Sequence, residues 1–274
     1  NNAVKIDILQ PTDEFEPIQR AAWSKCVDCI IILVIIMIST ILVGTAEPNK
    51  QFIPEYDTQQ NYNFAYPDVT SSVGGSDLGM AMFLPWFLLF ILNIILFKMY
   101  DTQFNWNDIR RNLWLIVRMY HFSIAIALIV TMVIKLFVGA PRPNFFAIQH
   151  KYEDGDIWIS DSRQSFPSGH ASLSMSVLGL LTIMFYQSWI YSQSEQYEMG
   201  KKLGKCCNPY QYYLADFWYL LREVPLLAML FIFAPIYVAL YCGLSRIVDY
   251  KHSRTDVVAG ELLGVISAYI AYLV

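Results

Sequence analysis

Six apolar runs dominate the chain, and each is about as long as a helix must be to cross a bilayer, roughly 20 residues. They cover 27–46 (VDCIIILVIIMISTILVGTA), 78–100, 113–138, 170–191, 221–244 and 257–274. Inside lipid a backbone has to satisfy its own polar groups, so a crossing segment is a helix or a strand of a closed barrel. These runs are too long and continuous for barrel strands, which need only about 10 residues. The expected fold is therefore all-α: a polytopic integral membrane protein with six transmembrane helices, forming a single membrane-embedded domain over 1–274. Composition agrees, with 55% hydrophobic against 15% charged residues and a mean hydropathy of +0.38, values foreign to most soluble domains. A net charge of −4 with dispersed basic residues argues against a nucleic-acid partner. No internal repeat or low-complexity tract is visible. The chain opens on Asn1 rather than Met, so a trimmed start is expected, and no signal-peptide pattern precedes the first apolar run.

Lysine and arginine set the expected orientation. Lys5, Arg20 and Lys25 precede the first run; Lys98, Arg110, Arg111 and Arg118 surround the second connector; Lys201, Lys202, Lys205 and Arg222 surround the fourth. With six spans these regions share one side, expected to be cytosolic together with both termini. Five cysteines, Cys26, Cys29, Cys206, Cys207 and Cys242, lie in or beside apolar runs or in one basic loop and do not suggest a disulfide framework. The C-x-x-C at 26–29 reads as packing, while Cys206 and Cys207 are placed where palmitate is added at a membrane edge.

Three polar clusters fall on the opposite, non-cytosolic side. KLFVGAPRPNFF carries Lys135 and Arg142; the end of QSFPSGH carries Ser168, Gly169 and His170; LSRIVDYKHSRTD carries Ser245, Arg246, His252 and Asp256. A lysine near the end of a span is costly and usually functional. Pro141 and Pro143 end the third helix, so Arg142 is expected on a rigid bend. Ser168 and Gly169 open a helix whose free N–H groups and positive end favour an anion. Arginine matches phosphate oxygens in pairs. Together these residues describe a pocket for a phosphate monoester. His252 and Asp256, four apart, are expected to meet on a helical turn. The carboxylate would fix the tautomer and leave the other ring nitrogen as nucleophile, with His170 as proton donor and then acceptor.

The order K-x6-RP, PSGH and SR-x5-H-x3-D resembles the three signature motifs of the type 2 phosphatidic acid phosphatase superfamily, and the six-run pattern resembles its lipid phosphate phosphatase branch. The resemblance implies hydrolysis of lipid phosphates (phosphatidate, lysophosphatidate, sphingosine 1-phosphate, ceramide 1-phosphate) at the extracellular or luminal face, in a plasma or secretory-pathway membrane. It implies phosphate binding by Lys135, Arg142, Ser168, Gly169 and Arg246, a phosphohistidine on His252 oriented by Asp256, and His170 as general acid. It also implies no cofactor and no metal, and no acidic or histidine cluster at ligand spacing lies beside the motifs. Homo-oligomerisation is left open. Two departures stand out: Ala140 occupies a position where the family often has arginine, and no Asn-x-Ser/Thr sequon occurs. The rivals are an isoprenyl diphosphate phosphatase on the same chemistry and a catalytically silent lipid-binding relative. A transporter is disfavoured by the lack of repeats.

Other conspicuous residues have plainer readings. His121, a turn from Arg118, suits packing or snorkelling. YEDGDIWISD at 152–161 lacks the register of a calcium loop and reads as a solvated acidic loop. YDTQQNYNFAYPD at 56–68 reads as an interfacial cover, and Trp23 as an interfacial anchor.

Overall fold

The computed structural model describes residues 18–51, 64–100, 106–153, 156–194, 218 and 221–274. Among these there is no strand, and the helices are α1 (Ile18–Thr45), α2 (Gly75–Tyr100), α3 (Trp106–Val138), α4 (Phe145–Lys151), α5 (Ile157–Asp161), α6 (Gly169–Ser192), α7 (Pro225–Val248) and α8 (Arg254–Leu273). Within the described residues four helices are long and apolar enough to cross a membrane: Leu113–Val138 of α3, α6, α7 and α8; Val27–Leu42 of α1 is a shorter apolar stretch. The protein is an integral membrane protein of helical build. Cys206, Cys207 and most of 56–68 lie outside the described residues. Cys29 is an exposed free thiol and Cys242 a buried one.

Helix ends depart from the apolar runs at the site-bearing face. The run at 221–244 becomes a helix from Pro225 to Val248, and α8 begins at Arg254 rather than 257. Hydropathy stops at Leu244 because Ser245 and Arg246 are polar. The helix continues because Arg246 is paired with Asp249 at 2.7 Å. Helix α8 starts early because Ser253 and Asp256 form a reciprocal capping box, which satisfies two N–H groups before any apolar residue is reached.

Helix α6 is the centre of the bundle, packed on α8, α7, α3 and α2, while α1 lies on α3. Most of its side chains are buried, and Ser172, Ser174, Ser176 and Gly179 keep it thin. Two glycines of α8 use that thinness. A Cβ on Gly260 would lie 2.5 Å from the Ser168 carbonyl oxygen, and one on Gly264 would lie 2.6 Å from the Ser172 carbonyl oxygen. This is small-xxx-small packing, in which helices without a hydrophobic drive in lipid gain from close backbone contact. Hydroxyls add cross-links: Ser123 Oγ donates to Ser176 O at 2.9 Å, and Thr131 Oγ1 and Ser172 Oγ share a hydrogen bond at 2.8 Å. Such bonds average about 0.6 kcal/mol each in membranes. Below them Trp86, Tyr120, Leu180, Met184, Trp218 and Ile232 form the apolar core. His121 sits edge-on to Tyr120, with Nδ1 2.8 Å from Val117 O.

The end of α3 is fixed by the connector from α1. Gly139 adopts φ +59°, where a side chain is strained, and its Cβ would fall 1.6 Å from Asn49 O. Asn49 N–H donates to Leu136 O at 2.8 Å and Gly139 N–H to Lys135 O at 3.0 Å, so the last turn, which holds Lys135, is closed. Overpacking the α6–α8 contact with Gly264→Leu should cost about 1–3 kcal/mol and lower the melting temperature in detergent. Gly79→Leu, where a Cβ meets nothing within 4 Å, should not. Equal behaviour of the two variants would refute the packing role.

Candidate active site

Four helix ends surround one cavity of about 590 Å³. Its wall includes Lys135 from the last turn of α3, Arg142 from the bend that follows, Gly169 and His170 from the first turn of α6, Arg246 from the last turn of α7, and His252 from the α7–α8 turn. Ser168 and Asp256 are buried and joined, Ser168 N–H donating to Asp256 O at 2.9 Å. The residues singled out in the sequence are thereby gathered at one place, from segments more than a hundred positions apart.

Each cation is held by an oxygen. The Lys135 ammonium donates to Gln164 O. Arg142 donates through Nε to Asp161 O at 3.1 Å and through Nη2 to Asp161 Oδ1 at 2.7 Å. Arg246 donates through Nη2 to Asp249 Oδ2 at 2.7 Å and leans on Ser245 Oγ. Asp249 also accepts from the backbone N–H and hydroxyl of Ser72, which ties the α1–α2 connector to the site. The stretch 152–161 is thus more than a solvated loop: it contains α5, and its last residue reaches Arg142.

The α7–α8 turn is tight. Tyr250 has φ +55°, a left-handed conformation costing roughly 1–2 kcal/mol for a residue with a Cβ. Its ring stacks on Tyr66 with centroids 4.7 Å apart. Lys251 and His252 N–H groups both point back to Arg246 O, at 3.0 and 3.2 Å, which turns the His252 ring to the cavity. His252 therefore precedes α8 and does not share a helical turn with Asp256. Nδ1 lies 3.8 Å from Asp256 Oδ2, beyond hydrogen-bond reach. Ser165 fills the gap, donating to Asp256 Oδ2 at 2.6 Å while its Oγ stands 3.4 Å from His252 Nδ1. A chain Nδ1–H to Ser165 Oγ to Asp256 assigns the tautomer and leaves the Nε2 lone pair unprotonated. Ser165 and Asp249 carry no motif signal beyond their closeness to PSGH and the i, i+3 spacing of Arg246 and Asp249.

Burial pushes the His252 imidazole down to about 3; the charges of Arg142 and Lys135 act the same way, and the Asp256 carboxylate acts against them. A neutral ring is the form with a free lone pair. On His170, Nε2 has no partner among the described residues, nor does Ser168 Oγ. His170 lines the cavity, where a bound oxyanion or leaving oxygen can satisfy its Nε2, whereas Ser168 is fully buried and is not part of the lining. Lys151 and Lys251 stand on the same wall, both bonded to Asp68. Among the described residues no group of His, Cys, Asp or Glu gathers to hold a metal.

The PAP2 superfamily model matches residues 116–274. The chain belongs to the PAP2 superfamily. Over 257 residues it is 25% identical to "Lipid phosphate phosphatase 2" of Arabidopsis thaliana, covering 89% of this chain and 74% of that protein. It is 27% identical to "Probable diacylglycerol pyrophosphate phosphatase 1" of Schizosaccharomyces pombe over 51% of this chain and 46% of that one. It is 28% identical to "Probable lipid phosphate phosphatase 4" of Arabidopsis thaliana over 56% and 45%. The chain thus spans about three quarters of the first relative and about half of the others. No solved structure matches it.

The depressed His252 value makes a pH prediction. The unfolded ring titrates near 6.5, and burial holds the native ring well below that. Stability from the neutral ring is therefore complete above about 6.5 and is lost as pH falls towards the lower value. Histidine-selective NMR of phosphate-free protein should show the His252 ring neutral at pH 5; half-protonation near 6.5 would contradict this site.

Proposed function

We infer that this chain is an integral-membrane lipid phosphate phosphatase, working by a phosphohistidine at the extracellular or luminal end of six membrane spans, with both termini cytosolic. The observation that carries the reading is that two imidazoles, two guanidiniums, an ammonium and a helix N-terminus surround one cavity in a PAP2 superfamily chain. The names of its relatives agree with it. The lipid keeps its tail among the helices while its phosphate rises to Lys135, Arg142 and Arg246.

In the first step His252 Nε2 attacks phosphorus in line, forming an N–P bond as the P–O bond to the lipid breaks. His170, which takes up a proton as the anionic phosphate binds beside it, gives that proton to the departing oxygen, releasing the lipid alcohol. The cations and the first N–H groups of α6 hold the equatorial oxygens, whose charge is the main thing a phosphoryl-transfer site stabilises. Water then attacks phosphorus as His170 takes its proton, the N–P bond breaks, and inorganic phosphate leaves with His252 neutral again. Asp256, through Ser165, steadies the ring while it carries positive charge.

The substrates that fit are phosphate monoesters of one- or two-chain lipids, phosphatidate and its relatives. One feature favours an isoprenyl or other lipid diphosphate as a second class: Lys151 and Lys251 on the rim can take a second phosphate.

Wild-type protein in detergent with chelator should release phosphate from phosphatidate and trap an acid-labile, alkali-stable phosphoryl label. His252→Ala should lose both, and normal turnover in that variant would remove the nucleophile. Ser165→Ala, which breaks the link between ring and carboxylate, should lower kcat roughly tenfold, about 1.4 kcal/mol, with little change in KM. An unchanged kcat would show that the link is idle.

A further inference from the structure

The two site arginines are paired with carboxylates in different ways. The Arg246–Asp249 pair is sealed, its side chains 2% and 4% exposed, and Asp249 is held again by Ser72. Asp161 is 41% exposed at the side chain, against 15% for Arg142, and it lines the cavity beside Lys135 and His252. Its carboxylate is not the only group that orients Arg142. The guanidinium Nε is bonded to the Asp161 carbonyl at 3.1 Å, and the Arg142 backbone N–H to Ser162 O at 2.8 Å. Those backbone contacts do not involve the Asp161 side chain.

We propose that Asp161 is an internal stand-in for phosphate: its carboxylate occupies the Arg142 Nη2 edge that the substrate's phosphate needs, and is displaced when phosphate binds. An arginine terminal edge offers the same donors to a carboxylate as to a phosphate, so the two compete for it. The exchange is non-covalent and balanced, one anion leaving the guanidinium as another arrives. It keeps Arg142 paired between turnovers, and the returning carboxylate helps expel inorganic phosphate. This rests on the phosphatase reading above, and it adds a residue that sets phosphate affinity.

The test is inhibition by inorganic phosphate of lipid phosphate hydrolysis by the full chain in detergent. Asp161→Asn removes the charge and keeps the shape. Its Ki for phosphate should fall roughly two- to fivefold, as expected for a partly exposed ion pair, and its KM for lipid phosphate should fall with it. Asp161→Glu, which keeps the charge, should tighten phosphate less than Asp161→Asn. The rise in melting temperature caused by phosphate should be larger in Asp161→Asn, and in Asp161→Ser, than in wild type. An unchanged Ki and an equal thermal rise would overturn the proposal. A raised Ki with reduced kcat/KM would overturn it too, because Asp161 would then be needed to hold Arg142 in place. If wild type hydrolyses lipid phosphate and is inhibited by phosphate but the variants do not tighten, only this inference fails. If wild type does neither, the phosphatase reading fails with it.

Discussion

The closeness of α6 and α8 governs the site. Because Gly260 and Gly264 lack side chains, the backbone of α8 lies against the first turns of α6, and the N-termini of two helices that run the same way end side by side. The Ser168 N–H reaches the Asp256 carbonyl across that contact. The loop before α6 then brings Ser165 between His252 and Asp256. A wider separation would take Ser165 from the carboxylate and leave the His252 ring without its orienting chain.

That geometry concentrates positive charge. Two helix N-termini, Lys135, Arg142 and Arg246 share one end of the bundle, with Lys135 and Arg246 in the last turns of their helices, and a water-poor surround raises the cost of an unpaired charge. The structure meets this cost with oxygens chosen for different permanence. Lys135 has a backbone carbonyl, Arg246 a buried carboxylate, and Arg142 a carboxylate near the surface. A site built this way has its cations oriented before an oxyanion arrives, and preorganised donors are worth more at a developing charge than mobile ones.

The helices of this fold are legible as apolar runs, and the chemical residues as three motifs with fixed internal spacing. The ends of the runs are less legible, because helix ends answer to pairing and capping as well as hydropathy. Arg246 extends α7 through its bond to Asp249, and Ser253 with Asp256 starts α8 early. The GELLG stretch at 260–264 shows small-residue spacing, yet spacing alone does not name α6 as the partner. Asp161 and Ser165 were hidden for a different reason. They reach the site because residues 162–165 pair with 140–142, Arg142 N–H to Ser162 O and Ser165 N–H to Ala140 O. Such a loop-to-loop match is set by tertiary contacts and has no periodicity to read. The expected pairing of His252 with Asp256 is met in part: the side chains come within 3.8 Å, but His252 precedes the helix and a serine bridges the two.

The account stands most directly on where an oxyanion binds and what faces it. A structure of the protein with orthovanadate, which adopts the five-coordinate geometry of phosphoryl transfer, tests this in one measurement. The account predicts vanadium bonded to His252 Nε2, oxygens within hydrogen-bond distance of Lys135, Arg142, Arg246 and the first turn of α6, and His170 facing the opposite apical oxygen. Vanadate bound elsewhere, or in this cavity with His252 turned away from it, would contradict it.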